Sequence, residues 1–142
     1  NEITPWVMDC ARAAALATRT ELKITQVGEK YDELSRKITG DEILEELFKE
    51  QGIETVDLSN ITGGSSDIGN VDYICPAFHP YISIGEDCGT HTVEFANAMK
   101  SDKTHEAILN GSEIVIKFVK KLYDMPELLE KIKEEHRENR RK

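Results

Sequence analysis

VDYICPAF, residues 71–78, and YISIG, residues 81–85, are the stretches on which the fold of this chain turns. Both are rich in β-branched and aromatic side chains and mostly apolar, the pattern of strands buried on both faces of a sheet. A third stretch, ELKITQV (21–27), alternates instead, with Leu22 and Ile24 on one face and Glu21, Lys23 and Thr25 on the other, as a half-buried strand does.

Helix patterns surround these three. Thr4 and Pro5 mark the start of a first helix that continues through VMDCARAAALAT (7–18), whose small side chains allow close packing. Thr39-Gly40-Asp41-Glu42 is a capping-box pattern opening a second helix, with Ile43, Leu44, Leu47 and Phe48 as its apolar stripe and Gly52 at its end. A short helix is expected over 92–99. A longer one carries Ile108, Gly111, Val115, Phe118, Val119 and Leu122 at helical spacing, and PELLEKIKEEH (126–136) forms a last helix, polar on most sides. Strands alternating with helices predict an α/β layer arrangement. The polar stretch from Gly28 to Ile38 is where a domain crossing is expected.

Composition narrows the function classes. The chain has 142 residues, enough for one domain with a real core, and a net charge of −9. That charge argues against nucleic acid, whose phosphates require clustered Lys and Arg. The basic HRENRRK end reads as a solvated tail. Three cysteines, Cys10, Cys75 and Cys88, without a CxxC pair, fit a reducing, cytoplasmic setting rather than a disulfide framework. No apolar run reaches membrane-spanning length, so no membrane partner is expected. The opening NEITPW lacks a methionine, which suits a processed protein or a piece of a longer one.

Chemistry concentrates in two loops. Residues 59–70 form a Gly, Ser and Asn loop containing GSSDIGN (64–70), and GTHT (89–92) follows. The first has the glycines of a phosphate loop without its lysine, and it lacks the Gly-x-Ser-x-Gly elbow of a serine nucleophile. It can equally be a turn whose Ser and Asp side chains bond their own backbone. His91 stands at the end of a glycine-containing loop just before a helix, where a neutral imidazole can ligate zinc. Of the other histidines, His105 and His136 fall among charged residues and read as surface positions. His79 is either a satisfied core histidine or part of a site wall. Cys88 with His91 makes half of a structural zinc site, and no second half follows.

Together, CARAAALATRTELKI, YDEL, GSSDIGNVDYICPAFHPYISIG and GTHTVEFANAM resemble the C-terminal part of the zinc-dependent aminoacylase and carboxypeptidase-like family of metallopeptidases and amidohydrolases, peptidase family M twenty, in its p-aminobenzoyl-glutamate hydrolase-like subgroup. The resemblance covers nearly the whole chain. It implies that residues 1–36 are the last helix and strand of a lid and dimerisation domain, and that 37–142 are the C-terminal part of a zinc-exopeptidase-like α/β catalytic domain, a sheet flanked by helices. It implies two divalent metal ions, usually zinc, an activated water between them, and hydrolysis of the amide bond of N-acyl amino acids or dipeptides. His91 maps onto the last metal ligand, and Ser65, Ser66, Asp67 and Asn70 onto the substrate-binding loop. A homo-oligomer is implied as well.

Two positions depart from the family pattern. Arg19 replaces the glycine usual before the lid strand, and the remaining ligands and the general base lie upstream of the matched region. The chain alone is therefore expected to be inactive. The alternatives from other classes are a non-catalytic interaction module that keeps a remnant of the fold, and a small protein holding zinc through Cys88, His91 and partner residues.

Overall fold

A computed structural model describes residues 3–56 and 64–141, and among these residues the regular structure is helical throughout. The α/β expectation is thereby corrected. The stretches 21–27, 71–78 and 81–85 form no ladder with any described segment. Val71 and Asp72 instead complete a short helix, and residues 76–84 run on without regular structure. In the alternating stretch, Leu22 and Ile24 are 39% and 48% exposed and Val27 is 99% exposed. The reason is physical. A helix closes its hydrogen bonds inside its own sequence, whereas a strand borrows its partners from another segment. Side chains suited to a sheet do not make one when no described neighbour offers its backbone.

Contacts group the chain into two compact units, Asn1–Lys30 and Tyr31–Lys142. The first contains α1 (Ile3–Thr18), which has no buried residue. Beyond its end Thr20 N–H bonds to the Ala15 carbonyl at 3.1 Å and Arg19 N–H to the Leu16 carbonyl at 3.4 Å. This pairing is the Schellman closure of a helix, which places its C′ residue in the left-handed region. Arg19 occupies that position with φ +56°. The turn that glycine usually makes is thus kept by a residue with a Cβ.

The second unit is organised by α2 (Ile38–Glu50), α5 (Asp102–Asp124) and α6 (Pro126–Asn139), each packed on the other two. Ile43, Leu44, Leu47 and Phe48 of α2 enclose Ile114 of α5, with Ile53, Phe78, Ile82, Phe118, Leu122 and Leu128 around them. Ile114 and Ile132 are each 1% exposed, and a side chain so fully withdrawn contributes about 1.5–3 kcal/mol. Gly52 ends α2 with φ +70°, as its glycine suggested.

Two local readings change. Thr39 is not the cap of α2 but lies inside its first turn, and Glu135 of α6 takes the capping role. Its carboxylate accepts from Thr39 N–H at 3.1 Å and from Thr39 Oγ1 at 2.5 Å, satisfying the helix end from another helix. On α5, the residues facing the core are Thr104, Ala107 and Ile114, with Phe118 and Leu122 packed beside them. Ile108, Val115 and Val119, expected in the stripe, are 52%, 53% and 60% exposed.

Candidate functional site

The loops singled out in sequence lie in the second unit, next to two short helices. Thr92 caps α4 (Val93–Ala98), its Oγ1 accepting from Phe95 N–H at 3.1 Å and donating to the Gly89 carbonyl at 2.7 Å. One threonine of GTHT is therefore explained by helix capping. That arrangement forces the chain to turn sharply at His91, which has φ +63°. A non-glycine residue pays for this conformation, and His is among those that tolerate it best.

Residues 59–63 of the glycine loop lie outside the described residues; from Gly64 the chain leads into α3 (Ile68–Asp72). Ser66 Oγ accepts from Ile68 N–H at 3.5 Å. Asn70 Oδ1 accepts from Asp32 N–H at 2.8 Å, tying α3 to the start of the unit. Gly69 makes that approach possible: a Cβ there would stand 1.7 Å from the Asp32 carbonyl oxygen.

Gly64, Ser65 and Ser66 line one cavity together with Thr90, His91 and Thr92, and Tyr81, Phe95 and Ala96 complete its wall. Its volume is about 500 Å³, within the range of small-molecule sites. Serine and threonine hydroxyls, one imidazole and two aromatic faces surround the space. Asp67 and Asn70 are not in its lining: Asp67 precedes α3 at its exposed N-terminus, and Asn70 is turned to Asp32. Tyr81 was missed as a site residue because it read as strand. Its ring lies 4.9 Å from that of His79, which is exposed and makes no part of this lining.

Elsewhere in the second unit lies a polar knot that no sequence pattern announces. Asp72 is wholly buried, and its carboxylate accepts from Lys37 Nζ at 2.5 Å, Ser35 Oγ at 2.6 Å, Ala77 N–H at 2.9 Å and Ser35 N–H at 3.0 Å. Arg140 reaches the same group at 3.4 Å. Lys37 is 1% exposed, with its ammonium also 5.1 Å from the centre of the Phe78 ring. Burial by itself raises the Asp72 pKa, but the hydrogen bonds from Lys37, Ser35 and Ala77 outweigh it and hold the carboxyl well below the usual carboxylate range. His136, expected at the surface, is buried, with Nε2 2.5 Å from the Asp72 carbonyl oxygen. The apolar positions around it, Leu129 and Ile132, were the available signal that this side of α6 turns inward.

The fit of a metal can be tested on these residues. A catalytic zinc takes three protein ligands and leaves a place for water. Among the described residues no three His, Cys, Asp or Glu side chains converge to hold a metal. His91 offers one nitrogen to the cavity beside hydroxyls and aromatic rings. A complete centre does not fit the described residues. Cys88 forms no such group with His91 either. Among the described residues, no helix is long and apolar enough to cross a membrane.

No family model matches the chain. It is 30% identical to Xaa-Arg dipeptidase of Mus musculus over 136 residues, which is 94% of this chain and 32% of that protein. It is 31% identical to Xaa-Arg dipeptidase of Homo sapiens over 137 residues, 94% of this chain and 31% of that protein. The chain thus spans about a third of the length of the curated relatives it matches. Distant similarity of this extent ties the chain to peptidases and amidohydrolases at that coarse level.

Proposed function

We propose that this chain is the C-terminal part of a metal-dependent amidohydrolase or peptidase that hydrolyses the amide bond of N-acyl amino acids or dipeptides. The observation that carries this reading is the shared cavity of the two motif loops, which brings the Ser65 and Ser66 hydroxyls to the same space as the His91 imidazole. The relatives' name, Xaa-Arg dipeptidase, agrees with a small peptide as substrate class.

In this reading His91 gives one ligand of a two-metal centre whose other ligands and general base come from residues beyond this chain. Divalent metals held by such a set would supply Lewis acidity toward water and the scissile carbonyl. The chain's own residues bind and orient. Ser65, Ser66 and Thr90 offer hydroxyls to the polar groups of a substrate, while Tyr81 and Phe95 shield one side of it from water. Asp67 and Asn70 shape the loop from behind. Residues 1–36 are the end of a lid and dimerisation domain in this reading, and the three free cysteines suit a cytoplasmic enzyme.

Metal analysis and hydrolysis assays on N-acyl amino acids and dipeptides test the proposal. This chain alone should hold no stoichiometric zinc and show no turnover. A polypeptide of the relatives' length that contains it should show both, and His91→Ala should lower its activity by orders of magnitude while its fold persists. Stoichiometric zinc with turnover in the short chain would overturn the ligand count, and full activity after His91→Ala would overturn the ligand assignment.

A further inference from the structure

The cavity shared by the two motif loops is polar without being charged. Among the described residues no Asp, Glu, Lys or Arg lines it, although Asp67 and Glu94 stand next in sequence to Ser66 and Phe95, which do. Its hydroxyls are not equally available. Thr92 Oγ1 gives its proton to the Gly89 carbonyl and accepts from Phe95 N–H, so helix capping occupies it. Ser66 Oγ accepts from Ile68 N–H, which leaves its proton for a ligand. A hydroxyl donor suits a neutral carbonyl or amide. A carboxylate drawn into the same space would lose water and meet no cation, and a guanidinium would meet no carboxylate. The net charge of −9 on the chain further opposes any anion.

The aromatic walls are held in place before any ligand arrives. Thr92 ties the Gly89 carbonyl to Phe95 N–H, so residues 89–95 make one turn that carries His91 and Phe95 in fixed register. Phe95 is half-buried. Tyr81 is 67% exposed, yet its ring lies 4.9 Å from that of His79 and is tilted to it by 31°. A restrained ring facing water gains from an apolar neighbour and gives up little rotamer freedom to it. The volume of about 500 Å³ lies in the range that holds whole drug-sized ligands, far more than an acetyl group fills.

We propose that this cavity takes a bulky, uncharged group chosen by Tyr81 and Phe95, and that it keeps out both anionic and cationic parts of a substrate. The inference rests on the amidohydrolase reading in one respect, because that reading makes the group the acyl side of the scissile amide. An N-acyl amino acid carries its carboxylate on the other side of that amide, so excluding the carboxylate orients the molecule. The acyl group enters the cavity, the amino acid to be released points away, and its carboxylate finds a counter-charge outside these two loops. Acyl groups with a charge of their own are poor substrates. Among uncharged ones the bulkier is preferred, since an acetyl group leaves most of the space to water.

Three molecules of one shape test this: benzamide, benzoate and benzamidinium, which are neutral, anionic and cationic. Titrated into the isotope-labelled chain, benzamide should shift the amide NMR signals of residues 64–66, 90–92 and 95–96 to saturation. Benzoate and benzamidinium should bind there about tenfold more weakly, as ions that give up water without a counter-charge. Tyr81→Ala and Phe95→Ala should each weaken benzamide about two- to tenfold, the worth of one aromatic contact, with helical circular dichroism unchanged. Tyr123→Ala, on α5 and 85% exposed, should leave benzamide binding as it was. The proposal is overturned by the absence of a saturable benzamide shift, by equal or tighter binding of either ion, or by benzamide binding indifferent to Tyr81→Ala. Should Phe95→Ala lose its helical signal, Tyr81→Ala and the comparison of the three molecules on the unaltered chain decide. The amidohydrolase reading fails separately. A polypeptide of the relatives' length without zinc or turnover, beside a short chain that prefers benzamide, overturns that reading and upholds the cavity's selectivity. Hydrolysis that favours charged acyl groups upholds that reading and overturns this one.

Discussion

The surroundings of Asp72 and of His91 are both built from the short helices and loops of the second unit, and they are finished to different degrees. Around Asp72 each carboxylate oxygen has several donors, and the segments meeting there, 35–37, 72–77 and the end of α6, are held to one another by it. Around His91 the hydroxyls and the imidazole face an open cavity of about 500 Å³. Buried polar groups that find all their partners fix a structure, whereas polar groups left facing space can act on a ligand. The contrast separates residues that position the site from those that would meet a substrate, although both are polar and both follow a glycine loop in sequence.

Substitutions should break the two regions unequally. Asp72→Ala leaves the Lys37 ammonium buried without its carboxylate, and removal of one partner of a buried pair costs about 3–5 kcal/mol. Denaturant unfolding should register a loss of that size, and a change under about 1 kcal/mol would erase the contrast with His91. The same group sets an acid limit. Its folded-state pKa lies below the unfolded value of about 3.9, so its contribution is complete above that pH and drains away as pH falls through it. Thermal melts from pH 6 down to pH 3 should show an acid loss in the chain that Asp72→Asn flattens.

Gly69→Ala comes next in size. Its Cβ would collide with the Asp32 backbone, and overpacking of this kind costs about 1–3 kcal/mol; the unfolding midpoint should fall accordingly, while Gly64→Ala, with open space around it, should leave that midpoint nearly in place. Arg19→Gly should act with the opposite sign. It relieves a left-handed residue at the end of α1, worth about 1 kcal/mol, and amide exchange across residues 3–18 should slow. His91→Ala should have the smallest effect, about 0.5–1 kcal/mol in the same unfolding measurement, because the side chain is exposed and only the left-handed backbone, which histidine tolerates better than alanine, resists the change. A large loss there would give His91 a part in the core and sharpen the contrast away.

The helices were legible because their signals are local. Pro126 opens α6, Gly52 closes α2, and Thr92 immediately precedes α4. The strands were misread because a ladder is a relation between segments, although the alternation of Phe78, Ile82 and Ile84 against Tyr81 and Ser83 was visible in the letters. The α5 stripe was misjudged for a related reason: Ile108, Val115 and Val119 have helical spacing, but Ala107 and Ile114 lie on the adjacent face and win the contact with α2. At the site, the letters mark Ser65, Ser66 and His91 as unusual, and folding places them at one cavity. Nothing local marks Lys37 or Asp72, and only the apolar Leu129 and Ile132 on its side of α6 mark His136. Their partners lie 35 and 64 residues apart in sequence, and a charged residue ahead of a helix reads as solvated until its distant partner is known.

The withdrawal of Lys37 from water also makes it a natural clock for the opening of the second unit. An amine-specific reagent added to the native chain acylates the exposed lysines at once, yet at 1% exposure Lys37 can be reached only when the segment that holds it lets go. Peptide mapping of the delayed label would then time that opening at a single residue, with no substitution introduced into the chain.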